Sequence, residues 1–167
     1  LARQGKYLVA RLDDGSRLLL HLGMTGQLFS SAVTSPRLLR ASARGILAPE
    51  AQPSFTPDEH THLRLHFRDA GPEVFLRDAR KFGKVLWLAA GAHSERLDRL
   101  GVDALEATGA ALFAASRGRS VAVKNLLLDQ SVLAGVGNIY ADEALFGAGV
   151  RPARRAGRVT RAEYERI

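Results

Sequence analysis

Two largely apolar blocks stand near the start of the chain. Tyr7 to Leu12 and Arg17 to Leu22 flank Asp13-Asp14-Gly15-Ser16, a run of turn formers, and together they predict an antiparallel hairpin. A second hairpin is predicted where Leu63, Leu65 and Phe67 alternate with polar neighbours, Asp69-Ala70-Gly71-Pro72 turns the chain, and Glu73 to Arg77 returns it. Val85 to Leu88 reads as a further strand. Between the hairpins, residues 33–58 hold no sustained period and are rich in Ala, Ser, Pro and Arg, the pattern of a surface insertion.

Past Ala89-Ala90-Gly91 the pattern becomes helical. Thr108 is a cap for Gly109 to Ser116 with Gly118 as the stop, and Ser120 is a cap for Val121 to Leu128. Asn138 to Phe146 forms the next helix, which Gly147 and Gly149 are expected to end. Thr160 and Glu163 have capping-box spacing for one more helix at the end of the chain. The expected class is α+β: a partial β-sandwich over residues 1–90, a linker over 91–103, and a partial helical domain over 104–167 built as helix, two turns, helix. From a start at Leu1 with no methionine, and an end at Ile167 inside a predicted helix, an internal piece of a longer protein is expected.

Composition narrows the partner. The chain has 24 Lys and Arg against 17 Asp and Glu, a net charge of +7, which favours a polyanion such as nucleic acid. No apolar run is long enough to span a membrane and no secretory signal opens the chain, so a soluble intracellular protein with no membrane partner is expected. Without cysteine there is no disulfide, no cysteine-based metal site and no cysteine nucleophile.

The run Gly135-Val136-Gly137-Asn138 feeds a tight turn into a helix start, where free N–H groups and the helix dipole can receive a phosphate. The competing role is a plain N-cap by Asn138. Met24, the one methionine, lies in the glycine-bounded loop His21-Leu22-Gly23-Met24-Thr25-Gly26, where an unbranched, polarizable side chain suits wedging between stacked bases. Asp78-Ala79-Arg80-Lys81-Phe82-Gly83-Lys84 joins three cations to one ring, the make-up of a nucleic-acid-facing loop. Lys6 at the mouth of the first strand and Lys124 before the glycine turn are further cations, and Arg151 to Arg158 sets four arginines against no acid.

Four motifs in one order, Gly5-Lys6-Tyr7, His21 to Gly26, Asp78 to Gly83 and Gly135 to Phe146, make the chain resemble the central part of a bacterial formamidopyrimidine-DNA glycosylase of the Fpg/Nei family. The resemblance implies a base excision repair enzyme, a DNA glycosylase and AP lyase for oxidised purines such as 8-oxoguanine and formamidopyrimidines. It implies that Met24, Arg80 and Phe82 fill the gap left by a flipped nucleotide, and that Lys6, Gly137 and Asn138 grip flanking phosphates. Lys124, Thr25 and Glu143 are implied near the base pocket, although Glu143 also reads as an ordinary helix-surface carboxylate. Met24 with the Arg-Lys-Phe-Gly loop favours the oxidised-purine branch over the endonuclease VIII branch.

The family's N-terminal proline nucleophile and its adjacent glutamate have no counterpart in this chain, so no catalytic residue is assigned within it. The chain by itself is therefore expected to be inactive. Nor is a metal or cofactor expected here, since the family's single structural zinc belongs to a C-terminal finger beyond these residues. The implied partner is double-stranded DNA carrying oxidised bases or abasic sites, met by a monomer in the bacterial cytoplasm and nucleoid. The alternative is a non-catalytic nucleic-acid-binding module, because helix-two-turns-helix also occurs in an RNA-binding ribosomal protein.

Overall fold

The computed structural model describes residues 1–34 and 45–167, so residues 35–44 of the expected insertion lie outside the described residues. The chain divides into two compact units, Leu1–Val9 with Leu88–Ile167, and Ala10–Trp87. The first nine residues thus group with the helical part of the chain.

Nine strands and five helices are described, in an α+β arrangement. The strands are β1 (Ala2–Gln4), β2 (Tyr7–Arg11), β3 (Arg17–His21), β4 (Gln27–Ser30), β5 (Thr61–Leu65), β6 (Val74–Arg77), β7 (Lys84–Leu88), β8 (Val102–Asp103) and β9 (Leu133–Ala134). The helices are α1 (Glu95–Asp98), α2 (Gly109–Ser116), α3 (Val123–Leu128), α4 (Asn138–Ala148) and α5 (Arg161–Arg166). One sheet has the order β1-β2-β3-β7, a second β4-β6-β5, and β8 pairs with β9 in parallel. Both predicted hairpins are present, with the alternation of the second ending at Leu65, before Phe67.

Within 33–58, the described residues make two sets of contacts with the strands. Gln27 reads the backbone of Leu47 in both directions, donating to its carbonyl at 2.7 Å and accepting from its N–H at 2.8 Å. Phe55 packs edge-on against Phe29 and Phe75, with centroids 5.2 and 5.4 Å away, so this part of the segment completes the strand core. The stretch expected as linker carries α1 and β8.

The helical core gathers Leu112, Val123, Leu126, Leu127, Leu145 and Tyr164, among others, all buried. Each fully buried leucine contributes about 2 kcal/mol. Thr108 caps α2 through the Ala111 N–H, and Thr160 with Glu163 forms a full capping box on α5.

Two predicted helix ends are corrected. α3 begins at Val123 rather than Val121, and Ser120 does not cap it: the N–H groups of Val123 and Lys124 donate instead to the carbonyls of Arg154 and Pro152 on the returning chain. Gly147 lies inside α4, which Gly149 alone ends in a left-handed turn where its N–H and that of Val150 reach Phe146 and Leu145.

Candidate nucleic-acid interface

Topology brings two loops of Ala10–Trp87 together. Residues 22–26 connect β3 to β4, and residues 78–83 connect β6 to β7. Since β3 neighbours β7 in one sheet and β4 neighbours β6 in the other, both connections pass between the same pairs of strands. Gln27 faces Arg77 in the antiparallel register, so one loop enters where the other leaves.

Asp78 locks the two loops. Its carboxylate accepts from Thr25 Oγ1 at 2.5 Å, from the Gly83 N–H at 2.7 Å and from the Arg80 N–H at 3.2 Å. The side chain is almost sealed off, with Asp78 2% and Thr25 3% exposed. Burial opposes the charge, but the donors from Thr25, Gly83 and Arg80 outweigh it and hold the carboxyl below its ordinary value. Gly23 adopts φ +63°, and a Cβ there would lie 2.6 Å from the Phe82 carbonyl carbon, so the loops touch backbone to backbone. On this rigid base Met24 is 62% and Phe82 50% exposed, and the Arg80 guanidinium lies 4.7 Å from the Phe82 ring centroid. Apolar side chains left in water by a well-ordered loop are suited to a stacked partner.

In the unit of Leu1–Val9 with Leu88–Ile167, the turn between β1 and β2 packs on the glycine turn before α4. A Cβ on Gly5, which has φ +55°, would lie 3.2 Å from Ala134 Cβ and 3.5 Å from Gly135 N. The Lys6 Nζ lies 3.8 Å from where a Cβ on Gly137 would be. Lys6 is half-buried, and burial lowers its pKa. Gly137 is the N-cap of α4 in extended conformation and no side chain caps the helix, so Asn138 is the first helical residue and not the cap. Its first turn holds no acidic residue. Uncapped N–H groups beside a partly desolvated ammonium are the chemistry of an anion cradle, because a phosphate would restore to both what burial removes.

Residues that sequence reasoning did not single out hold this cradle. Gln130 accepts from the Gly135 N–H at 3.0 Å and donates to the Val136 carbonyl at 3.1 Å, bracing the turn from both ends. Arg3 pairs with Asp103 at 2.8 Å and donates to the Gly5 carbonyl at 3.0 Å, tying β1 to β8. The Arg3 side chain holds the Asp103 carboxyl below its usual range. Asp78 lies at the head of the basic loop motif, and nothing in its neighbours marks it as buried. No local signal marks Gln130 or Asp103, whose partners depend on the fold.

Of the residues implied near a base pocket, Thr25 is buried with its hydroxyl on Asp78, Lys124 pairs with Asp142 of α4 at 2.8 Å, and Glu143 is exposed on α4. The chain has no cysteine, and among the described residues no three His, Asp or Glu converge, so the residues in hand do not fit a zinc.

Two family models match the chain. The formamidopyrimidine-DNA glycosylase N-terminal domain matches residues 1–85, and the formamidopyrimidine-DNA glycosylase H2TH domain matches residues 100–167. The chain is 45% identical over 170 residues to the formamidopyrimidine-DNA glycosylase of Halorhodospira halophila, covering 100% of the chain and 55% of that relative. It is similar to the crystal structure of the MutM (Fpg) protein from Thermus thermophilus, with TM-score 0.75 and 32% identity over 99% of the chain and 53% of the other. It is also similar to Lactococcus lactis formamidopyrimidine-DNA glycosylase bound non-covalently to DNA containing an AP site, with TM-score 0.74 and 25% identity over 99% and 56%. The chain spans about half the length of the curated relatives it matches.

Proposed function

Because the chain belongs to the formamidopyrimidine-DNA glycosylase family, we propose that it serves base excision repair as the lesion-recognising part of a DNA glycosylase and AP lyase acting on oxidised purines in duplex DNA. The observation that carries this reading is the Asp78 lock, which joins the Met24 loop to the Arg80 and Phe82 loop and leaves their apolar side chains exposed.

Flipping a nucleotide costs a few kcal/mol of stacking and pairing, and apolar wedges offset part of it. Met24 and Phe82 take the place of the departed base, and Arg80, stacked on Phe82, donates to the base left opposite. Lys6 and the α4 start, with Asn138 at its first position, hold phosphates beside the lesion. The nucleophile lies on no residue of this chain. In the intact reaction an amine forms a bond to C1′ as the glycosidic bond breaks, the base departs with a proton, and the resulting iminium permits elimination of the flanking phosphates. Lys124, held by Asp142, stands near the base pocket, while Thr25 acts through Asp78. Among the described residues no helix is long and apolar enough to cross a membrane, and a monomer in the bacterial cytoplasm or nucleoid accords with this work.

The test is fluorescence anisotropy with matched duplexes, one undamaged and one holding an abasic-site analogue or 8-oxoguanine. The damaged duplex binds more tightly, and the Met24→Ala/Phe82→Ala double variant loses that preference while keeping its undamaged-DNA affinity. Equal affinity for both duplexes overturns the lesion-recognition role. Borohydride treatment on 8-oxoguanine duplex gives no adduct with this chain; an adduct would overturn the placement of the nucleophile outside it.

A further inference from the structure

The arginine-rich stretch after α4 takes no part in the site described above. Residues 119–123 and 154–157 run antiparallel, with the Val123 N–H donating to Arg154 O at 2.7 Å, the Ala156 N–H to Val121 O at 2.8 Å and the Gly157 N–H to Arg119 O at 3.1 Å. This ladder supports an open depression of about 260 Å³, lined by the arginines 117, 119, 155 and 158, by Ser120 and by two glycines.

The four guanidinium groups are not equally occupied. Arg117 sits 5.1 Å over the Phe113 ring and donates to the Gly157 carbonyl at 3.4 Å. Arg119 shares its charge with Asp129 at 3.4 Å. Among the described residues no carboxylate pairs with Arg155 or Arg158, whereas the neighbouring Arg154 is engaged by Glu163 at 2.6 Å. Four like charges line one depression on a braced backbone, and an anion there would relieve their mutual repulsion. Guanidinium forks match phosphate oxygens two at a time, and four of them offer more donors than one carboxylate accepts.

From this geometry we propose that the depression formed by Arg117, Arg119, Arg155 and Arg158 is a second phosphate-binding site, which takes the phosphodiester backbone of a DNA duplex apart from the Lys6 and Gly137 cradle. The inference rests on reading the chain as a duplex-DNA binder. It assigns a use to Arg155 and Arg158 of the run Arg151 to Arg158.

The test is the salt dependence of undamaged-duplex binding for four proteins: the unaltered chain, Arg155→Ala/Arg158→Ala, Lys6→Ala, and an Arg68→Ala/Arg96→Ala control with the same loss of charge. Each phosphate contact contributes about 0.9 to the logarithmic salt slope, so Arg155→Ala/Arg158→Ala lowers the slope by about 2 and affinity by about tenfold. The control leaves both nearly unchanged. An unaltered slope in Arg155→Ala/Arg158→Ala, alongside a lowered one in Lys6→Ala, overturns this site and leaves the proposed function standing. An equal loss in the control reduces the effect to net charge and overturns it too. No duplex binding by the unaltered chain overturns both readings. Millimolar inorganic phosphate separates the sources: the difference between Arg155→Ala/Arg158→Ala and the unaltered chain persists for a backbone site, and its disappearance identifies a free-phosphate site instead.

Discussion

In the loops 22–26 and 78–83, order comes from one buried carboxylate, whereas around residues 135–137 it comes from backbone brought close on glycine. Asp78 collects two backbone donors and one hydroxyl, while Met24 and Phe82 stay exposed. Around the cradle Gly5 lets one turn approach another, and the Gln130 amide and Arg3 brace the edges. The difference follows from what each region would present. A wedge needs exposed side chains on a stiff base, so its rigidity must come from a buried group elsewhere in the loops. An anion cradle needs exposed backbone N–H groups, so its rigidity must come from packing that leaves those groups unsatisfied.

The largest expected effect is on the lock. Asp78→Ala strands the Thr25 hydroxyl and the Gly83 and Arg80 N–H groups, which costs about 3 kcal/mol in chemical denaturation and removes any preference for a lesion. If lesion preference survives while stability falls, the lock holds the fold but not the wedge.

Gly5→Ala comes next. It forces alanine into φ +55° and against Ala134, costing about 1–2 kcal/mol in denaturation and weakening DNA binding with it. Unchanged stability would show that the close approach at this turn is not what orders the cradle.

The two functions of the cradle separate in a smaller pair of changes. Lys6→Ala weakens binding evenly across DNA sequences and lowers the salt slope by about 0.9. Gly137→Ala meets only ordinary contacts, the Lys6 ammonium at 3.8 Å, so stability stays within about 0.5 kcal/mol while DNA binding falls because the methyl occupies the anion's place. A loss of stability in Gly137→Ala with normal binding would make this glycine structural.

The smallest effect is of pH on the capping box. The backbone of Thr160 and the guanidinium of Arg154 draw the Glu163 carboxyl from 4.5 down to about 2. Its folded pKa is depressed, so its contribution is full above the ordinary value of 4.5 and fades as pH falls toward about 2. Thermal denaturation therefore shows the gap between the unaltered chain and Glu163→Gln narrowing over that interval; a gap independent of pH would remove the charge from the account.

Much of this organisation was legible in order along the chain. Both hairpins, the Thr108 and Thr160 caps and the two-turn connection before α4 depend on neighbours a few residues apart, and periodicity and turn chemistry report such neighbours. The four motifs that carry the family resemblance were legible for the same reason, as each is a short contiguous run. Ser120 failed as a cap because a strand-like partner from residues 152–155 reached the α3 N–H groups first, and no local pattern announces a partner that distant. Gly147 was tolerated inside α4 because it faces open space, a fact of packing rather than composition.

The sequence by itself determined the α+β class and the net positive charge, since these rest on residue type and short-range spacing. Only the tertiary structure decided that Thr25 meets Asp78 across 53 positions, that Lys6 stands over Gly137, and that residues 1–9 belong with the helices. Each of those requires two distant segments to be brought into register by burial of the strands and helices between them, and that register is a property of the packed chain rather than of any stretch of it.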